Sequence, residues 1–331
     1  MTLERHLATA RRLSANCLCA LALAVIPSIS IVTPSEHEGP TPVYVTLQGS
    51  DAVGNAATGK VWHGLAGAHY VAVSPDGAQL LVSGAGTSDV YLVNTADGKL
   101  LKTFDVGPVP QNVAISPNGR LGLAVSEGNG TVAVIDMRKQ ALITFIHVGK
   151  VPHAPLFTAD GQRAYVTLQG SDAVAVLDMR ALTKIGQFPV PGLTMPHNLD
   201  LSANGEVLWI RGFLGKVAAV NVRSHKVLAV IPVGASHAGI DVIPGGRYVV
   251  TGGIGGDVVD VIDPGSFAVV KRIKVGKGPH GVRASKDGRW VYAGVVGTDK
   301  VAVIDMTTLR AVKQETPHGK VPFWVAVPGN D

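Results

Sequence analysis

The sequence has almost no cysteine, few aromatic residues and little charge. Its two cysteines, Cys17 and Cys19, both lie within the first 30 residues. Aromatic residues make up 5% of the 331 positions and charged residues 16%, whereas glycine occurs 40 times. Disordered chains combine high charge with low hydrophobicity, so this composition excludes them and predicts a compact, turn-rich β protein.

Both cysteines fall in a segment with the features of a secretory signal. Residues 1–30 contain a basic start and an apolar run centred on residues 17–26. That run is too short to span a bilayer comfortably, although a retained membrane anchor is the alternative. We therefore predict a signal peptide at 1–30, a linker at 31–41 and a periplasmic or secreted protein. The mature chain would then have no membrane span, no disulfide and no thiolate chemistry.

Strong charge and catalytic motifs are also missing. Removal of the signal takes away three Arg and one Glu, which lowers the net charge from +5 to +3. No Lys/Arg cluster indicates a nucleic-acid groove, so nucleic acid is not an expected partner. The sequence contains no G-x-S-x-G nucleophile elbow, no phosphate-binding loop and no C-x-x-C metal motif. These absences favour a binding role over an enzymatic one.

A repeat of about 42 residues runs through most of the chain. It is visible in turns such as "SPDG", "SPNG" and "SKDG", which end at Gly77, Gly119, Gly161, Gly205, Gly246 and Gly288. Asp-Gly and Asn-Gly between apolar runs are typical of hairpins, because glycine adopts positive φ at no steric cost. A second strand follows each turn, and a glycine-rich loop then leads to a third strand and a fourth.

Four short strands in 42 residues are typical of one blade of a β-propeller. Each third strand ends in Asp or Asn, at Asn94, Asp136, Asp178, Asn221, Asp263 and Asp305. We interpret these residues as turn caps rather than catalytic groups, since one copy per blade indicates architecture. Six blades occupy about 69–317. The predicted fold is an all-β, seven-bladed propeller of four-stranded antiparallel blades over residues 42–331.

The two ends of the repeat region supply the seventh blade. The C-terminal "VPFWVAV" matches a first strand, and residues 44–53 are identical to 165–174, which read as second and third strands. We expect these ends to pair and close the ring, which removes exposed sheet edges. The N-terminal part is shorter than its counterparts and lacks the Asp, so its third and fourth strands should be truncated.

These motifs resemble the YVTN family of seven-bladed propellers. The likeness rests on the "YVT" strand openings, the "SPDG" and "SPNG" turns, the "VAVID" strands and the "VG…P" linkers, and it covers residues 42–331. The family and its relatives, the cytochrome d1 haem domain and the nitrous-oxide reductase propeller, imply exported proteins of mixed roles. The resemblance is therefore specific for the fold and weak for the function.

A candidate site emerges where one blade joins the next. Eight residues before each turn glycine, the sequence places His69, Gln111, His153, His197, Ala238 and His280, with Phe323 in the closing blade; His237 precedes Ala238. These corners and the loops between second and third strands should share one face around the channel mouth. Neutral imidazole binds zinc and copper, so His69, His153, His197, His237 and His280 are candidate metal ligands.

Two interpretations of these histidines stay open. Duplication of a repeat copies its histidine whether or not the histidine has a function. An imidazole can also hydrogen-bond the backbone of the linker between blades, so we favour a structural role. Alternatively, the histidines bind copper or a haem iron, with Arg211, Lys216, Arg283 and Lys300 as basic residues near haem carboxylates. Gln111 and Phe323 interrupt the ring, which makes a one-sided site a sharper hypothesis than a symmetric one.

The function predicted from the sequence is a ligand- or protein-binding scaffold that uses the histidine-lined mouth. The first alternative is an oxidoreductase or cofactor-handling protein with copper or d1-type haem. The second is a propeller lactonase in which a histidine at the mouth acts as the base. The expected partner is a protein or small molecule at the mouth, and the expected oligomeric state is a monomer.

Overall fold

The computed structural model describes residues 42–330, which form seven four-stranded antiparallel sheets. The predicted fold, an all-β propeller of seven four-stranded blades, is confirmed. The predicted signal peptide (1–30), the linker (31–41) and residue 331 lie outside the described residues. No helix within residues 42–330 has the length and apolarity needed to cross a membrane.

The first three strands of the chain belong to the last blade. They are β1 (Tyr44–Leu47), β2 (Ala52–Asn55) and β3 (Val61–His63). Blades 1 to 3 then follow in chain order. Their strands are β4 (Ala68–Val73), β5 (Gln79–Gly84), β6 (Asp89–Asn94), β7 (Leu100–Asp105), β8 (Pro110–Ile115), β9 (Leu121–Ser126), β10 (Thr131–Asp136), β11 (Ala141–His147), β12 (Pro152–Phe157), β13 (Arg163–Leu168), β14 (Ala173–Asp178) and β15 (Thr183–Pro189).

Blades 4 to 6 have the same order, and one further strand completes the ring. The strands are β16 (Pro196–Leu201), β17 (Val207–Gly212), β18 (Lys216–Asn221), β19 (Val227–Pro232), β20 (Ile240–Val242), β21 (Val249–Thr251), β22 (Val258–Asp263), β23 (Ala268–Lys274), β24 (Pro279–Ala284), β25 (Trp290–Val295), β26 (Lys300–Asp305), β27 (Arg310–Glu315) and β28 (Pro322–Ala326). Single 3₁₀ turns occupy Gln48–Ser50, Gln169–Ser171 and Val296–Thr298.

Blade 7 closes the ring by pairing the two ends of the described chain. Its strand order is β28-β1-β2-β3, and β28 pairs antiparallel with β1, with Val325 opposite Val45. Strands β2 and β3 have four and three residues, whereas the third and fourth strands of the other blades have six or seven. The expected closure and truncation are both confirmed.

Hydrogen bonds that the Asx side chains accept from the backbone confirm their role as turn caps. Each one accepts a backbone N–H two or three residues further on, as in Ala96 to Asn94 (2.8 Å) and Thr307 to Asp305 (2.8 Å). Blade 7 lacks the Asp, as expected, and Asn55 at the end of β2 takes the same role by accepting the N–H of Ala57 (3.1 Å).

Burial decreases from the axis to the rim of each blade. The second and third strands are almost fully buried, as the pattern of "TVAVID" in β10 shows, whereas the outer strand β11 is mostly exposed. Neighbouring blades cover both faces of the inner strands, which explains their continuous apolar runs. At the hub, Tyr70 packs its ring against Trp324 (4.7 Å between centroids), so large side chains occupy the axis at this level.

Candidate functional site

A strained corner begins each blade and directs one side chain toward the axis. We use the term ring residues for the seven equivalent positions His69, Gln111, His153, His197, Ala238, His280 and Phe323. Two residues before each of them the backbone φ is positive, at Gly67, Val109, Val151, Met195, Ser236, Gly278 and Val321. This conformation costs an L-residue roughly 1–2 kcal/mol. Hydrogen bonds from the loop between second and third strands hold it, as in Gln169 N–H to the Val151 carbonyl (2.9 Å). The corner therefore fixes where the next residues point.

Four of the five predicted histidines, His69, His153, His197 and His280, are ring residues in this sense. His153 lies on His197 (3.7 Å between centroids), and His280 stacks on Phe323 (3.8 Å). His69 stacks on the other side of Phe323 at 4.3 Å. The aromatic contacts thus continue across the channel mouth.

The fifth histidine, His237, reaches the same place from a different position. It occupies the corner position that is proline in five other blades, and the ring position of its blade is the small Ala238. Its ring is half-buried, stacks on Phe213 (4.3 Å) and lies edge-on to His197 (4.6 Å) and His280 (5.2 Å). His237 therefore joins its two neighbours and remains accessible from the mouth.

The structure brings together three of the five candidate ligands. One ring nitrogen from each of His197, His237 and His280 lies within 4.8 Å of the others. Nε2 of His197 and Nε2 of His280 are buried and have no hydrogen-bond partner among the described residues. A buried polar atom without a partner costs about 1–3 kcal/mol. These two nitrogens are the feature of the mouth that protein contacts do not explain.

The remaining two histidines, His153 and His69, make polar contacts with other residues through their ring nitrogens. Nδ1 of His153 hydrogen-bonds the His197 carbonyl (3.0 Å), and its Nε2 contacts the Tyr70 hydroxyl (3.3 Å). Nδ1 of His69 contacts the amide of Gln48 (3.0 Å). Both histidines therefore fit the structural interpretation, and the symmetric ring is replaced by a one-sided cluster.

Hydrogen bonding fixes the tautomer of His280. A backbone carbonyl can only accept, so the contact between Nδ1 and the Phe323 carbonyl (3.2 Å) requires the ring proton on Nδ1. The lone pair is then on Nε2, the buried atom without a partner. His280 is thus held in the form that a metal ion needs.

Burial keeps all five rings neutral at pH 7. It lowers the pKa of His197 and His280 well below the usual 6.5. The pKa of His237 falls to about 4, through burial and then the positive charge of Arg211. Burial also lowers the pKa of His69 to about 4 and that of His153 to about 3. Neutral imidazoles offer lone pairs, so a cation need not displace protons.

Sequence reasoning missed the residue that begins each loop after the second strand. In blades 7, 3 and 4 this residue is Gln48, Gln169 and Phe213, and each contacts the histidine of the following blade: His69, His197 and His237. The signal was present in the identity of residues 44–53 and 165–174, which places the same glutamine in two loops. These loop residues form the inner rim of the mouth.

The basic residues considered for haem carboxylates serve other contacts. Arg211 is fully buried and donates from Nη2 to the carbonyls of Gly234 (2.6 Å), Ser236 (2.8 Å) and Gly252 (3.2 Å). Arg283 pairs with Asp241 deeper in the channel (2.9 Å). Lys300 Nζ donates to Thr316 (2.6 Å), and Lys216 is exposed. Arg211 therefore supports the corner that carries His237.

A buried acidic pair lies beside Arg283. Desolvation raises the pKa of Asp241 to about 8, and the nearby Asp200 carboxylate adds to the rise while Arg283 opposes it. Burial raises the pKa of Asp200 as well. Two carboxylates face one guanidinium, so the folded protein holds a proton that the unfolded chain releases near pH 4.

This pair should make stability depend on pH. Because the folded-state pKa is raised, the free energy of unfolding should fall as pH rises from about 4 to about 8, by up to about 1.4 kcal/mol per pH unit. Asp200→Asn leaves one carboxylate for Arg283 and should flatten this slope. Urea unfolding between pH 5 and 9 measures it, with the exposed turn cap Asp263→Asn as control. An unchanged slope in Asp200→Asn would contradict the assignment.

Comparison with known proteins agrees with the fold. The model of the cytochrome D1 heme domain family matches residues 203–321, which hold β17 to β27 and include His237 and His280. No curated protein sequence matches the chain.

Three solved structures share the architecture. Hydrazine synthase of Kuenenia stuttgartiensis superimposes with a TM-score of 0.72 at 21% identity, over 80% of this chain and 90% of that one. A functionally unknown protein from Desulfotomaculum acetoxidans gives 0.75 at 12%, over 88% and 100%. Dihydro-heme d1 dehydrogenase NirN in complex with DHE gives 0.63 at 17%, over 90% and 78%. The chain is therefore a seven-bladed propeller similar to the cytochrome d1 haem domain.

Proposed function

We propose that this propeller is an exported metal-binding protein that holds a copper or zinc ion at its mouth through His197, His237 and His280. The observation that carries the proposal is the pair of buried Nε2 atoms without partners, on His197 and His280, close to a third imidazole. A bound cation would satisfy both nitrogens at once. This proposal specifies the binding function predicted from the sequence, since the ligand at the mouth would be a copper or zinc ion.

The donor set selects the class of metal. Three imidazoles with neither thiolate nor carboxylate suit zinc and copper, whereas magnesium and calcium prefer oxygen ligands. Three protein ligands leave a fourth position, which is the arrangement of reactive rather than structural zinc sites. His237 is half-buried and lies on the mouth side, so a small molecule can approach the ion from there.

Titration of untagged protein with Zn(II) and with Cu(II) tests this proposal. We expect one equivalent to bind wild type, and the affinity to fall at least about 100-fold in His197→Ala, His237→Ala and His280→Ala. His69→Ala is the matched control and should retain affinity, because that ring contacts Gln48 and Phe323 outside the cluster. Absence of binding by wild type, or an equal loss in His69→Ala, would contradict the proposal.

Haem is the second candidate, because the matching family is named for it and the matched residues include His237. The stacked rings fill the channel at this level, with centroids 3.7 to 5.2 Å apart, so the described residues leave no room for a macrocycle between them. A haem would fit only on the outer side, where the half-buried His237 would hold its iron. Binding would then require His237 and tolerate His280→Ala, which the Soret band of haemin-treated protein measures.

A further inference from the structure

The two identical segments of the chain place the same glutamine against a histidine of the next blade. In blade 7, Gln48 Nε2 lies 3.0 Å from Nδ1 of His69, and in blade 3, Gln169 Nε2 lies 2.8 Å from Nδ1 of His197. The difference that bears on metal binding is that His197 belongs to the three-histidine cluster and His69 does not. The duplication therefore provides one pair at the candidate metal centre and one matched pair away from it.

The orientation of the glutamine amide decides where the proton of His197 lies. When the amide NH₂ donates to Nδ1, that nitrogen must be an acceptor, and the ring proton moves to Nε2. Nε2 of His197 is the buried atom without a partner, on a ring that belongs to the three-histidine cluster. In this orientation it carries a proton and cannot bind a cation. Rotation of the amide by half a turn presents its oxygen, which accepts a proton on Nδ1 and frees the lone pair on Nε2.

We infer that Gln169 is a positioning residue that controls whether His197 can serve as a ligand. The inference rests on the proposed function, since it concerns the same three histidines. Both amide orientations occupy the same volume and each satisfies Nδ1, so a bound cation can select the second one. His280 needs no such change, because the Phe323 carbonyl already holds its proton on Nδ1.

Substitutions that fix one orientation should change metal affinity in opposite directions. Gln169→Glu provides an acceptor only, which keeps the proton on Nδ1 and makes Nε2 a better donor, as carboxylates beside metal-binding histidines do. We expect Zn(II) affinity to rise about 10-fold. Gln169→Leu removes the partner and should lower the affinity about 10-fold. Gln48→Glu and Gln48→Leu are the matched controls and should leave the affinity within about twofold of wild type.

Nitrogen-15 NMR of histidine-labelled protein without metal reads the tautomer directly. The His197 resonances, assigned by their loss in His197→Ala, should show protonated Nδ1 in Gln169→Glu and a larger share of protonated Nε2 in wild type. An unchanged tautomer, or equal Zn(II) affinities in wild type and both Gln169 variants, overturns the inference. If the tautomer shifts as expected and no variant binds a metal, the positioning role stands and the proposed function fails.

Discussion

A chain that ends at residue 319 should not form a stable propeller. This truncation removes β28, whose five residues, Pro322–Ala326, are all buried and which forms the inner strand of blade 7. Strand β1 would lose its partner, and the first and sixth blades would expose the faces that β28 covers. Each large buried side chain contributes roughly 1.5–3 kcal/mol, so Phe323, Trp324 and Val325 together rival the 5–15 kcal/mol that stabilises a typical domain.

Far-UV circular dichroism and a thermal melt would measure this loss. We expect the truncated chain to lack a cooperative transition and to be degraded rapidly by protease. A chain that ends at Val327 is the matched control, because it retains β28 and removes the short tail after it, including the contacts of Asn330 with Asp241, Ala284 and Val327. A truncated chain that melts cooperatively near the wild-type temperature would show that the ring does not depend on this closure.

The sequence predicted the architecture because a propeller repeats local chemistry. A glycine in each turn and an Asx residue at the end of each third strand recur at nearly constant spacing. Both determine the backbone conformation only of the few residues next to them. Counting eight residues back from the turn glycine therefore located ring residues such as His153 and His280 without any knowledge of packing. The same count placed His237 beside the ring, where the structure also has it.

Convergence of the histidines could not be predicted from the repeat alone. Equal spacing makes His69 and His197 equivalent, yet His69 stacks on Phe323 while His197 meets three other imidazoles. The difference depends on residues from other blades: Ala238 leaves space at its ring position, and His237 fills it from the corner. Such contacts join positions about 40 residues apart and follow no local rule.

The hydrogen-bond partners of the histidine rings could not be predicted from the sequence either. The sequence shows that Gln48 and Gln169 sit in identical segments, but not that their amides reach the following blade. It also suggested that Arg211 could face a ligand, whereas the guanidinium is buried and bound to three backbone carbonyls. A basic residue next to a glycine-rich loop is expected to be exposed, and the burial of Arg211 near the end of β17 depends on packing that the sequence does not show.

Replacement of Arg211 by methionine should therefore be among the most damaging single changes in the propeller. Burial lowers the pKa of Arg211 to about 10, which still leaves it charged at pH 7, and Asp260 favours that charge. The Asp260 side chain is fully buried and accepts the N–H of Gly234 (2.5 Å) and a bond from Arg272 (3.2 Å). Arg211→Met removes the donor to three backbone carbonyls, at about 1–3 kcal/mol for each that stays unsatisfied, and also removes a positive charge near Asp260.

Arg211→Met should also weaken metal binding at the candidate metal centre. Two of the carbonyls that Arg211 binds belong to Gly234 and Ser236, the residues that lead into His237. Urea unfolding should show the loss of stability, and Zn(II) titration of the folded fraction should show weaker binding than wild type. The exposed Arg223→Met is the control and should stay within about 0.5 kcal/mol.

A double-mutant cycle separates the charge from the carbonyls. If the buried charge dominates, Arg211→Met with Asp260→Asn should be less damaging than the sum of the two single changes, because the second change also removes the carboxylate that interacts with the Arg211 charge. If the carbonyls dominate, the effects should add. An Arg211→Met protein as stable as wild type would show that the corner before His237 is held by the remaining backbone bonds alone, and that the cluster at the mouth does not depend on this buried cation.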